Sequence, residues 1–129
     1  MAMTHTGFIL YGYDNQEAVI IKNAVDRILQ CDSIMISASK MEKNTIDEIL
    51  QRGPVNEFEK GEETFMMLLG MEKESVMNVV KFFPKEGVRR PIFCMLTKNN
   101  IDWSVEKLVK HLIDEQRTHK NESENSQCE

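Results

Sequence analysis

Four short apolar runs, at 8–11, 34–36, 65–69 and 91–96, alternate along this chain with four stretches in helical register. The runs are continuous (Phe8-Ile9-Leu10-Tyr11, Phe65-Met66-Met67-Leu68-Leu69) rather than alternating apolar with polar. That is the pattern of strands covered on both faces, as in a parallel sheet. Regular alternation of strand and helix points to the same α/β class. The helical stretches place Ala18, Ile21, Val25 and Ile28 on one face, then Ile46, Ile49 and Leu50, then Val76, Val79 and Phe83, then Val105, Leu108 and Leu112. Asp14 with Glu17 and Thr45 with Glu48 have the spacing of capping boxes, so both positions read as helix starts. Gly53-Pro54 closes the second helix and Pro84 limits the third.

The two halves superimpose without gaps at an offset of 58 residues. Leu10 falls on Leu68, Gly12 on Gly70, Ile34 on Ile92, Lys40 on Lys98, Glu48 on Glu106 and Leu50 on Leu108. Strand starts, glycines and helix faces share one register, the mark of an internal duplication. The expected fold is a three-layer α/β domain with a four-stranded parallel sheet of order 2-1-3-4. It is built from two β-α-β-α repeats, with helices on both faces. A twofold axis along the strands and right-handed crossovers then set the first and last helices on one face and the middle two on the other. Repeat 1 spans about 7–53, a polar linker 54–63, and repeat 2 about 64–117 of a single domain at 1–117. A disordered polar tail is expected at 118–129.

Composition narrows the function. Sixteen Lys and Arg against 21 Asp and Glu leave a net charge of −5, a poor match to a polyanionic partner. The acidity lies in the first half: 6 basic and 11 acidic residues in 1–63, against 10 and 10 in 64–129. The Lys81, Lys85, Arg89 and Arg90 cluster, with Phe82 and Phe83 beside it, reads as a solvated loop and not as a nucleic-acid site, because Phe83 falls on the buried face and the loop lies at the end of the sheet opposite the switch point. No apolar run approaches the length of a membrane span, and the N-terminus lacks a signal-peptide pattern, so a cytoplasmic protein is expected. Cys31, Cys94 and Cys128, and His5, His111 and His119, are too scattered for a metal site. There is no glycine-rich phosphate loop and no nucleophile elbow. No catalytic residue and no cofactor is assigned.

In a parallel sheet of this order the two central strands meet at a switch point, and ligands gather outside the strands' carboxyl ends there. The candidate site is then Tyr11, Gly12, Tyr13 and Asp14 facing Gly70, Met71 and Glu72. Asp14 and Glu17 also begin one helix, and Glu72 and Glu74 another, where carboxylates complement the helix dipole. The alternative is that they face each other as paired carboxylates for a divalent cation or for acid–base chemistry.

The second half holds the most distinctive string, Met95-Leu96-Thr97-Lys98-Asn99-Asn100-Ile101-Asp102-Trp103-Ser104-Val105-Glu106. With Leu69-Gly70-Met71-Glu72 and Leu112-Ile113-Asp114-Glu115, it resembles a small prokaryotic family catalogued as domain of unknown function 3783, over about residues 64–116. The first half looks like a diverged copy, with Ser39-Lys40 where Thr97-Lys98 stands and no Trp. The resemblance implies fold membership and no activity. Read physically, Thr97 and Asn99 suit a strand-to-helix turn, and Asp102 or Ser104 a helix cap. Thr97, Lys98, Asn99, Asn100 and Trp103 join the candidate site, because the fourth strand would end beside the switch point. The expected function is a non-enzymatic module binding a protein partner or a small regulatory ligand, with no nucleic acid and no membrane. A homodimer through a strand edge or the helices is a third reading.

Overall fold

The computed structural model describes residues 6–55 and 57–126, with side chains described through residue 116. Four strands form one sheet: β1 (Gly7–Tyr11), β2 (Ile34–Ser37), β3 (Phe65–Leu69) and β4 (Ile92–Met95). Four helices accompany them: α1 (Asn15–Leu29), α2 (Ile46–Arg52), α3 (Lys73–Phe82) and α4 (Val105–Ser126), with a 3₁₀ turn at Asn100–Asp102. The side chains of the polar stretch expected as a tail, at 118–129, lie outside the described residues.

The sheet order is β2-β1-β3-β4, but the sheet is mixed rather than parallel. β1 pairs in parallel with β2, and β3 with β4, while β1 and β3 run antiparallel, Gly7 opposite Leu69 and Tyr11 opposite Phe65. The expectation of an all-parallel sheet is thus corrected, for two physical reasons. A continuous apolar run reports burial on both faces, and a central strand of a mixed sheet is buried in the same way. The chain also has little means to cross back: seven-residue α2 is only about 10 Å long. The linker instead returns over the carboxyl end of β1, where the Gly61 N–H donates to the Gly12 carbonyl at 2.9 Å, and β3 enters from that end.

The 58-residue offset describes the pairing. Adding 58 to Gly7↔Ile34 yields Phe65↔Ile92, and the other three β1–β2 pairs map likewise onto β3–β4. The antiparallel ladder maps onto itself, with Ile9↔Met67 at its centre. The relating axis is therefore normal to the sheet and passes through that pair, not along the strands. Such an axis keeps each helix on its own face. The expected division of helices is corrected accordingly: α1 and α3 cover one face, α2 and α4 the other.

On the first face Phe8, Leu10, Met66 and Leu68 meet Ile21 and Val25 of α1 and Val79 of α3. On the second, Ile9, Phe65 and Met67 meet Ile46 and Ile49 of α2 and Val105 and Leu108 of α4. Each of these large side chains is at most 2 % exposed, and full burial stabilises by about 1.5–3 kcal/mol apiece. Both capping boxes form: Asp14 accepts from Glu17 N–H at 2.9 Å and Thr45 from Glu48 N–H at 3.1 Å.

The gapless alignment slips by one residue after the second strand of each half. Strand end to helix start is nine positions from Ser37 to Ile46 and ten from Met95 to Val105. Buried Ile46 and Ile49 therefore correspond to Val105 and Leu108, not to Ser104 and Lys107. The starts of α2 and α4 are tied to each other by Ile46 N–H to Trp103 O at 3.0 Å and Val105 N–H to Asn44 O at 2.9 Å.

Candidate functional site

The antiparallel centre separates what a parallel sheet would join. Tyr11, Gly12, Tyr13 and Asp14 follow one end of the sheet; Gly70, Met71 and Glu72 follow the other. Four residue steps of strand lie between Tyr11 and Leu69, about 13 Å, and both carboxylates lie beyond those ends. Asp14 and Glu72 thus cannot share a cation, whose ligands sit about 2.0–2.6 Å from it. The switch-point crevice, and the paired-carboxylate alternative built on it, has no geometric basis. Among the described residues no group of three or more His, Cys, Asp or Glu side chains could hold a metal ion, and no helix is long and apolar enough to cross a membrane.

At the β1/β2 end the site residues are enclosed. Tyr13 is fully buried and donates its hydroxyl to the Arg89 carbonyl at 2.7 Å. Burial pushes the Tyr13 phenol well up, despite the Arg89 cation beside its ring. Arg89 is the hub. Its Nε and Nη2 grip both oxygens of Glu17 at 3.0 and 2.9 Å, and its other donors reach the carbonyls of Gly61 and Gly12. Arginine's planar fork is suited to this bidentate pairing. Glu17, only 8 % exposed, is held below the usual carboxylate range, first by the Arg89 hydrogen bonds, against the opposing effect of burial.

The sign of its pH effect follows. A carboxylate whose folded pKa is depressed contributes stability above its unfolded value, about 4.3. That contribution fades as pH falls through the folded value. Urea unfolding should therefore show Glu17→Gln well below wild type at pH 7, with the gap narrowing as the pH is lowered through and below about 4.3. A gap constant with pH would deny the Arg89 pairing.

The linker closes this end as a strap. The Ser37 hydroxyl donates to the Glu57 carbonyl, Glu59 N–H donates to Ser39 Oγ at 2.9 Å, and Gly61 N–H to Gly12 O at 2.9 Å. Lys40 Nζ lies 3.3 Å from Glu57, and Phe58 packs against the α1/α3 core. Tyr11 lies on the other face, stacked on Phe65, its hydroxyl donating to Glu42 at 2.8 Å. Burial first, then Glu42, pushes its phenol up to about 12.

The β3/β4 end carries no such strap among the described residues. Gly70, Glu72, Thr97, Lys98 and Asn99 are exposed, and Met71 is half-buried against the α1/α3 core. Asn100 turns inward: its side chain accepts from Thr97 N–H at 2.9 Å and donates to Met95 O at 3.0 Å, and its own N–H donates to Thr97 Oγ1 at 3.0 Å. It shapes the turn and presents nothing outward. Trp103 lies on the α2/α4 face, with the His111 ring 4.8 Å away and Lys107 over it at 4.9 Å. The candidate residues therefore divide into a closed end, an open end, a buried turn residue and a tryptophan on a different face.

The two ends differ first at Ser37 and Met95, which the strand register makes equivalent. Ser37 is 0 % exposed and its counterpart Met95 46 %. Ser39 is 5 % exposed while Thr97 is open. Gly12 is buried and Gly70 exposed. Beyond the strands the one-residue slip sets Lys40, which pairs with Glu57, against Asn99, while Lys98 makes no ion pair among the described residues. Sequence reasoning missed Met95, Arg89, Glu17 as an ion-pair partner, and the strap's docking serines. Cys94 is a core residue of the α2/α4 face whose thiol burial pushes up to about 12, which makes it a poor nucleophile.

With this geometry in hand, the comparisons with known proteins are brief. Residues 64–118 match the family model described as domain of unknown function DUF3783. The matched stretch begins just before β3 and takes in the open end. No curated protein and no solved structure matches the chain.

Proposed function

We propose that this chain is a duplicated, non-catalytic cytoplasmic module that binds a protein partner at the open end of its sheet, through Gly70, Met71, Met95, Thr97, Lys98 and Asn99. The observation that carries the reading is the unequal cover of the two sheet ends, with Ser37 fully buried and its register counterpart Met95 46 % exposed. One repeat fills its carboxyl end with its own linker; the other leaves a methionine, a lysine and a threonine to solvent. An exposed methionine beside an exposed lysine is the composition of a contact surface, adaptable in shape and able to give up water. The duplication is supported by the 58-residue register of all three strand pairings.

A photoreactive residue placed at Thr97 of the full chain, in a lysate of its source cells, tests this. The expected result is a discrete adduct whose peptide is identified by mass spectrometry. Titrated as a synthetic peptide, that segment should shift the amide signals of Gly70, Met95, Thr97 and Lys98. Shifts confined to the 85–90 loop or to the outer faces of α1 and α3 would overturn the proposal.

A further inference from the structure

Among the described residues, four of the five exposed large apolar side chains stand on α1 and α3: Val19, Ile20, Met77 and Phe82. The antiparallel β1–β3 pairing makes these helices antiparallel too, so α1 begins and α3 ends beside the closed end of the sheet. Val19, Ile20 and Phe82 fall there. A groove of about 700 Å³ opens between the first turns of α1, the strap and the loop after α3, lined by Asp14, Val19, Ile20, Lys60 and Gly87 among others. Gly87 brings the loop close to α1, since a Cβ at that position would lie 3.6 Å from Ile20 Cδ1. Beside the groove stands a knob, Phe82, 58 % exposed, with Lys81 Nζ 5.4 Å from its ring centre. Its base is fixed: Phe83 is buried edge-on against Phe93, and Arg89 is clamped on Glu17. An aromatic on a fixed base loses little freedom on docking.

We infer that this face is a self-complementary contact between two copies of the chain, in which Phe82 of each enters the groove of the other beside Ile20 and Gly87. Knob and groove lie side by side on one copy, as a twofold contact requires, where every interaction is made twice. The charges select the same occupant. Asp14 and Lys60 edge the groove, and Lys81, Lys85 and Glu86 flank the knob. None of the five makes an ion pair among the described residues. A knob docked in the groove of a second copy sets Lys85 against Asp14 and Glu86 against Lys60, opposite signs at both places. Three cations and two carboxylates also leave the face near neutral in a chain of net charge −5, so two copies meet here without strong like-charge repulsion. The contact lies at the closed end and leaves the open end to the partner proposed above.

Sedimentation equilibrium of the full chain, from micromolar to millimolar, should show a reversible monomer–dimer equilibrium. In a mixture of isotope-labelled and unlabelled chains, filtered NOE spectra should join the Phe82 ring to the Ile20 methyls of the other copy. Phe82→Ala should weaken the dimer about thirtyfold or more, because both knobs are lost at once. Met77 is as exposed as Phe82 but points about 140° away from it round α3, so Met77→Ala should leave the dimer unchanged. Glu86→Lys alone and Lys60→Glu alone should each weaken it about five- to tenfold, each change acting twice. Both changes in one chain should restore it, since the exchanged pair is again opposite in sign. All four positions are exposed, and urea midpoints close to wild type check that each variant keeps the fold. A chain that stays monomeric at millimolar concentration would overturn the inference. So would a dimer without the Phe82–Ile20 contact, one that Met77→Ala weakens as much as Phe82→Ala, or one that the double exchange fails to restore.

Discussion

Replacing Arg89 with alanine should lower the unfolding free energy by about 3 kcal/mol, read from the urea midpoint at constant m-value. Glu17 is nearly buried, and the substitution leaves its carboxylate without its cation. The Gly12 and Gly61 carbonyls lose their guanidinium donors as well. The figure sits at the low end for a broken buried pair, because the Arg89 side chain is 33 % exposed and water partly replaces what is lost. In a domain of this size about 3 kcal/mol is a large share of the total stability. Arg89→Lys should recover little of it, since a lysine ammonium cannot span both carboxylate oxygens and two carbonyls in one plane. A change below about 1 kcal/mol for Arg89→Ala, the level of a surface ion pair, would contradict the role of Arg89 as hub.

Gly12→Ala carries the second large effect, about 2–4 kcal/mol, from two sources. Gly12 has φ +89°, a conformation costly to any residue with a Cβ. A Cβ there would also fall on the Glu63 carbonyl oxygen, which belongs to backbone entering β3 and cannot swing aside. Gly53→Ala is the control. Its φ is +82° with ψ −169°, a region essentially reserved to glycine, but nothing lies within 4 Å of a Cβ, so only the conformational cost, about 1–3 kcal/mol, should appear. Equal losses at both positions, measured by thermal or urea unfolding, would deny the close contact between strap and β1.

Much of the fold was legible in the sequence, and the errors share one cause. Apolar runs located the strands, the 3.6 spacing located the helix faces, and Asp14/Glu17 and Thr45/Glu48 located helix starts, because each is a local consequence of burial or of unpaired helix N–H groups. The strand order followed from treating the halves as equivalent. Strand direction did not, since Phe65 through Leu69 would be apolar whichever way they ran. The axis was therefore placed along the strands when it lies normal to the sheet. Every statement about facing switch-point residues inherited that choice. Asn100 and Trp103 sat in the distinctive string, yet they serve the turn and the α2/α4 face. Arg89 read as part of a solvated basic loop, because its partner Glu17 lies 72 positions away and no local pattern joins them. Lys40 on Lys98 was visible as an identity at the 58-residue offset, yet the slip past the strands sets Lys40 against Asn99.

The account stands on the inequivalence of the two sheet ends, and solvent access in the free protein tests it without any substitution. With a soluble paramagnetic agent added to the isotope-labelled chain, the signals of Gly70, Thr97 and Lys98 and the Met95 methyl should relax strongly. Those of Gly12, Ser37 and Ser39 should be spared. Equal relaxation at the two sheet ends would show that the linker does not close the first end, and the central claim would fall with it.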